Sequence, residues 1–306
     1  MNTLRIGYLS TLYHTSHLLK CAGWLNDKGI RTSWNLYGTG PAMVQAFAAG
    51  DIDLGYIGLP PAMIGIARGV PLRCIGGGHI EGTIMIARVG YVAAEDSGNI
   101  AEVLSKFRGK AIGSPARGSI HDVIIRYLLN RYQIDTVEVK NFPWADLIPL
   151  AIEEGEIQGA VGTPQLAVVA QTFYGQRIIL PPDCLWPFNP SYGIVVRENL
   201  LGETELLKAF LQTHEQACNI LRKKPQEAAE LLAQESKTVA RDFILNTLSI
   251  SPKYCAALPV EYLESTIKFV PVLQEMGYLK RTFLQEDIFD LSFIQAIHPE
   301  PHHYVR

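Results

Sequence analysis

At 306 residues, 48% of them hydrophobic, the chain can bury enough surface for two compact domains or one large one. Its 27 basic and 30 acidic side chains nearly balance and form no Lys/Arg-rich run with interleaved aromatics, which argues against a nucleic-acid partner. No apolar stretch reaches the roughly 20 residues of a membrane span, and the five cysteines, odd in number and without a C-x-x-C pair, outline neither a disulfide framework nor a zinc knuckle.

The chain opens at Met1-Asn2-Thr3-Leu4, with no charged n-region, apolar h-region or cleavage site ahead of the first strand. With Met1 as the native start the protein is cytoplasmic; with a leader removed and a start Met added it is periplasmic or on the cell surface. Ile6 to Leu9 reads as a strand, followed by a turn holding Ser10, Tyr13 and His14 and by a helix from Ser16 to Asn26. Thr32 to Tyr37 is the next strand. Gly38-Thr39-Gly40-Pro41 then opens a helix, with Pro where its missing N–H costs nothing. Asp53 to Ile57, the turn Gly58-Leu59-Pro60-Pro61, a short helix ending at Gly69 and the strand Leu72 to Ile75 complete a βαβαβ set. Gly76-Gly77-Gly78 reads as a flexible loop after that strand, bringing His79 near a cleft.

The apolar, extended residues 84–92 read as a first crossing between lobes. A second set follows: strand Ala111 to Ser114, helix Ser119 to Arg131, strand Val137 to Lys140, helix Ala145 to Glu154, strand Gln158 to Val161 and helix Gln165 to Phe173. Ser191 to Arg197 is the return crossing. The expected domains are residues 1–87 with 195–306, and residues 88–194, joined by a two-strand hinge. From Glu203 onward the periodicity is helical, over Thr204 to Arg222, Gln226 to Gln234, Val239 to Thr247 and Glu261 to Met276, and this tail is expected on the first lobe.

The two sets repeat one sentence. Ala48 to Pro60 returns, one residue shorter, as Glu153 to Pro164: a helix end, a Gly stop, a buried strand and a Gly-x-Pro turn. Arg5 to Ser10 returns as Lys110 to Pro115. In open parallel sheets ligands collect at the carboxyl ends of the strands, so the site is expected between the lobes.

Two helix starts face that cleft, Thr39-Gly40 and Arg117-Gly118-Ser119, each offering free backbone N–H groups to an anion; Arg117 adds a guanidinium fork. Capping alone accounts for either turn taken singly. Leu59, Pro60 and Thr163 fall in the repeated Gly-x-Pro turns. His14, His79 and His121 lie at strand-to-helix turns as neutral hydrogen-bonding partners, with no third ligand at a metal spacing. Trp144, Ser191 and Tyr192 sit beside the crossings, where flat rings can sandwich a small group. His298, His302 and His303 read as a solvated tail. No dinucleotide or phosphate loop, nucleophile elbow or cysteine–base pair appears, so no catalytic residue, metal or cofactor is expected.

The runs Gly38 to Gly58, Gly69 to Ile75, Gly109 to Ser119 and Ala151 to Ala160 resemble the type II periplasmic solute-binding proteins, in the branch of aliphatic-sulfonate, nitrate, bicarbonate and thiamine-pyrimidine binders. The resemblance covers about residues 4 to 235. It implies two Rossmann-like α/β lobes with a helical C-terminal segment, closing on a small anionic or zwitterionic solute that is delivered to an ABC permease if the protein is exported. A sulfonate, carboxylate or pyrimidine ligand and a monomeric state are expected. The branch also contains cytoplasmic enzymes of cofactor synthesis, which would use the same cleft with His14, His79 or His121 as acid/base; the Cys-rich motif of the thiamine-pyrimidine synthases is missing here.

Overall fold

The computed structural model describes residues 3–304; Met1, on which the localisation reading turns, lies outside them. The strands are β1 Leu4–Leu9, β2 Thr32–Tyr37, β3 Leu54–Ile57, β4 Leu72–Ile80, β5 Ile84–Arg88, β6 Ala111–Pro115, β7 Glu138–Phe142, β8 Gly159–Gly162, β9 Gln176–Leu180 and β10 Pro190–Arg197. They build two sheets of matching order, β2-β1-β3-β10-β4 and β7-β6-β8-β5-β9. In each sheet four strands run parallel, and one antiparallel strand, β10 or β5, is inserted beside β3 or β8. β3 and β8 are wholly buried, as expected of parallel strands covered on both faces. The two α/β lobes written twice in the sequence are therefore present.

The inserted strands correct the expected crossings. Residues 84–88 pair with β8 and β9 inside the second sheet, and 191–197 pair with β3 and β4 inside the first. Met85, Ile86, Ile194 and Val196 are fully buried, and an extended crossing in water would leave those side chains exposed. The chain instead passes between sheets at residues 81–83 and 181–189. Residues 76–79 are likewise no loop. They extend β4 to Ile80, and the glycines there are required by close neighbours: a Cβ on Gly77 would strike the Tyr304 hydroxyl and the Ala257 carbonyl. Among the features not anticipated from periodicity are the strand β9 and the short helices Ala94–Ser97, Ile100–Ser105, Pro182–Leu185, Gln285–Ile288 and Ser292–Ile297.

Five helices start near the interlobe face: α1 Thr15–Ala22, α2 Gly40–Ala49, α3 Leu59–Ala67, α4 Ile120–Arg131 and α5 Pro164–Tyr174. α1 stops earlier than expected because Gly23 adopts φ 70°, the left-handed conformation of a helix stop. In the tail, α6 Thr204–Lys223 packs on β4 and α1, whereas α7 Arg241–Ile250 packs on α5 of the second lobe. The tail thus touches both lobes. The helix expected over 261–276 divides into Val260–Ile267 and Phe269–Glu275. Pro271, in the first turn of the second piece, has no N–H to bond back to Ile267.

Candidate functional site

The N-cap residues of all five helices, His14, Thr39, Gly58, Ser119 and Thr163, line one cavity between the lobes. The β–α turns follow the carboxyl ends of β1, β2, β3, β6 and β8, so the repeat in the sequence has become a convergence in space. The cavity measures about 40 Å³, room for a few waters or a small polyatomic ion at ~10–15 Å³ per water. Among the described residues, no charged side chain lines it. Its polarity comes from hydroxyls, imidazoles and the first-turn N–H groups of Gly40, Ile120 and His121, which have no intrahelical acceptor.

Three caps hold their own helices. Thr39 Oγ1 accepts from the Ala42 N–H, Ser119 Oγ from Asp122 and Thr163 Oγ1 from Leu166, at 3.4, 3.3 and 3.3 Å. His14 does not cap α1, and its Nδ1 is buried without a partner, as is the Thr11 hydroxyl beside it in the cavity wall. The ring of His14 lies on Tyr192, centroids 4.1 Å apart, and meets Tyr13 edge-on. Burial, then the neighbouring His17, His79 and His121, hold His14 well below the usual imidazole range. Burial lowers His121 to about 4, and its Nδ1 pairs with the Thr83 hydroxyl at 3.1 Å. The imidazoles at the cavity are therefore neutral at physiological pH.

Of the residues expected at the site, Ser10, Tyr13, His14, Thr39, Gly40, Ser119, His121, Thr163 and Ser191 line this cavity. Tyr13 and Ser191 share a hydrogen bond of 3.1 Å across the entrance of β10. Seven others do not line it. Tyr192 lies beneath, its hydroxyl bonded to the backbone N–H and hydroxyl of Thr15, while the Thr15 hydroxyl meets His214 Nδ1 and His214 Nε2 donates to the Gly77 carbonyl. His79 is equally internal, donating from Nε2 to the Ser251 carbonyl at 2.5 Å, and burial lowers it to about 3. Leu59 and Pro60 are buried in the first turn of α3, where their neighbours Gly58 and Pro61 take the lining positions.

Arg117 does not line the cavity. It is exposed, and with Gly118 it lines a separate crevice against Pro41, Gln45 and Tyr278. Gly118, at φ 82°, turns the chain so that Ser119 faces inward while the preceding side chain faces out. Trp144 is 40% exposed and lies against Gly38 of the other lobe, at the rim, with Ala145 taking the lining position. Gly38, Pro115 and Ile120 also line the cavity without having been anticipated. Gly38 and Ile120 each adjoin an expected cap, Thr39 and Ser119, and Pro115 ends the repeated segment Lys110 to Pro115.

The lobes meet directly over the cavity: Gln165 Oε1 of α5 accepts from the Leu12 N–H at 2.8 Å, and Gly58 packs on Ile120. The site is therefore enclosed by both halves. Among the described residues no helix is long and apolar enough to cross a membrane.

A family model described as NMT1-like matches residues 1–235. A Brucella abortus protein carrying the description of a candidate binding protein is 22% identical over 242 residues, 76% of this chain and 70% of its own length. The fold is similar to the ligand-binding component of an ABC-type import system from Staphylococcus aureus, with zinc bound: TM-score 0.80, 15% identity, 98% of this chain and 100% of that one. It is similar also to the alkanesulfonate-binding protein of Xanthomonas axonopodis pv. citri bound to MOPS: TM-score 0.79, 16% identity, 94% of this chain and 98% of that one.

Proposed function

We propose, for a chain that belongs to the NMT1-like family, that it is a non-catalytic binding protein closing its two lobes on one small anionic solute. The observation that carries this reading is the convergence of five helix N-caps on a cavity without a charged side chain. Helix amino termini concentrate unpaired N–H groups and positive potential, and they bind sulfonate, carboxylate or phosphate oxygens without a counter-ion from a side chain. A compact sulfonate or carboxylate head suits this cavity better than a pyrimidine, because neither Trp144 nor Tyr192 is placed to sandwich a ring. The alkanesulfonate ligand of the Xanthomonas protein supports the same chemistry.

The enzyme reading is not favoured. His79 does not line the cavity and its Nε2 is bonded to the Ser251 carbonyl, and among the described residues no carboxylate lines the cavity to work with His14 or His121. The lobe boundaries fall at the two crossings, near residues 82 and 189, which makes 81–83 and 181–189 the hinge. Delivery to an ABC permease, action as a monomer and a periplasmic or cell-surface place for a form whose leader has been removed complete the proposal.

Calorimetric titration with short alkanesulfonates and short carboxylates, paired with small-angle scattering, tests it. One solute of these classes should bind at one per chain and lower the radius of gyration. No saturable heat from either class, or turnover of the bound solute, would overturn the reading.

A further inference from the structure

Outside the lining of the interlobe cavity, the end of the chain folds back onto α6 and brings four donor atoms together. Cys255 Sγ lies 3.3 Å from His298 Nε2 and 3.5 Å from His303 Nδ1, while Glu215 Oε1 lies 4.0 and 3.7 Å from the same two nitrogens. All four donor atoms fall within 4.8 Å of one another. We propose that Cys255, His298, His303 and Glu215 form a binding site for a zinc-like divalent transition-metal ion, which pins the C-terminal residues to the first lobe.

The separations fit the chemistry. Metal–sulfur and metal–nitrogen bonds of about 2.3 and 2.0 Å set at tetrahedral angles place sulfur and nitrogen about 3.5 Å apart. The distances to Cys255 match that edge, so an ion can enter with small side-chain shifts. Thiolate, two imidazoles and a carboxylate form a borderline donor set suited to zinc or cobalt and poorly suited to magnesium or calcium.

The outer contacts aim the donors inward. His298 Nδ1 donates to the Glu300 carbonyl at 3.1 Å, an atom that can only accept, so a neutral ring turns the lone pair of Nε2 toward Cys255. Backbone N–H groups of Ala257 and His303 point at Cys255 Sγ from 3.5 and 3.4 Å, donors that stabilise a metal-bound thiolate. Glu215 Oε2 is fixed by the Ala256 N–H. Its Oε1 is shared with Arg222 and Asn219, at 2.9 and 3.1 Å. Glu215 is thus the weakest of the four, and Cys255, His298 and His303 form the core of the site. His298 and Cys255 are buried, whereas the His303 side chain is 35% exposed and gives the ion a way in.

The test uses the full chain, stripped with a chelator and titrated with Co²⁺. One equivalent should produce the intense thiolate-to-cobalt charge-transfer absorption with the visible bands of a tetrahedral ion, and Zn²⁺ should displace it. Cys255→Ser should abolish the charge-transfer absorption, and His303→Gln, at a half-exposed position that folding tolerates, should keep it but weaken affinity by roughly tenfold or more. His14→Gln and His121→Gln, in the interlobe cavity, should change neither. Absence of the charge-transfer absorption in the wild type, its persistence in Cys255→Ser, or unchanged affinity in His303→Gln overturns the site.

Discussion

The two lobes share one strand order yet meet the cavity differently. In the second lobe α4 begins with an internal anion: Asp122, its side chain fully buried, accepts from the Gly118 N–H at 2.9 Å and from Arg126 and Asn141 at 2.8 and 2.9 Å. In the first lobe α1, α2 and α3 carry no acidic residue in their first turns, and the cap of α1 is an imidazole with a free nitrogen. A duplicated fold has thus satisfied one helix terminus from within and left its counterpart open to the cavity. The first lobe also holds most of the buried histidines.

The largest effect that can break this contrast is acidification. Burial lowers His17, His121 and His214 to about 4, His79 to about 3, and His14 well below 6.5. Between pH 6.5 and 4 the unfolded chain binds protons that the folded chain refuses, so stability rises with pH there and is lost as pH falls. Four of the five rings belong to the first lobe or to α6 packed on it. The thermal midpoint should fall steadily from pH 7 to 5, and hydrogen exchange corrected for intrinsic rate should show β1 and β4 opening before β6 and β8. A flat midpoint over that range, or earlier opening of the second sheet, contradicts the assignment.

Much of this architecture was legible in the sequence, and the reason is the duplication. Two copies of a Gly stop, an apolar strand and a Gly-x-Pro turn identify the βα units and the cap Thr163, while the small-residue turns at Thr39-Gly40 and Gly118-Ser119 mark the other two caps. Periodicity did not reveal which apolar extended segments cross and which pair, because β5 and β10 look alike in either role until their partners are known. Side-chain direction was equally hidden: Arg117 and Ser119 are two residues apart, and the left-handed Gly118 between them sends them to different faces. The histidines after residue 297 looked solvated because the pairing that buries His298 comes from Cys255, 43 residues upstream.

Asp122→Ala sharpens the comparison at the second lobe. Removing one member of a buried pair leaves Arg126 and a buried N–H without their acceptor, and such losses start at about 3 kcal/mol; the partial exposure of Arg126 keeps this case at that lower end. Denaturant unfolding should show the decrease with an unchanged slope. A decrease below about 1 kcal/mol, the size of one ordinary hydrogen bond, would mean that the carboxylate does not serve as the anion of α4.

The smallest effect separates the equivalent caps. Ser119 bonds to its own helix, so Ser119→Ala should cost about 1 kcal/mol of stability, the usual worth of an N-cap, while affinity for the solute stays within about twofold of wild type. His14 bonds to no helix N–H and presents a free nitrogen to the cavity wall. His14→Gln should therefore lower affinity about fivefold, equivalent to roughly 1 kcal/mol for a neutral hydrogen bond, with its stability change at neutral pH coming from the ring lost between Tyr13 and Tyr192. Calorimetric affinities and unfolding midpoints of both variants give the crossed result that the two-lobe contrast requires. If Ser119→Ala weakens binding more than His14→Gln does, the solute rests on the second lobe and the roles of the two halves are reversed.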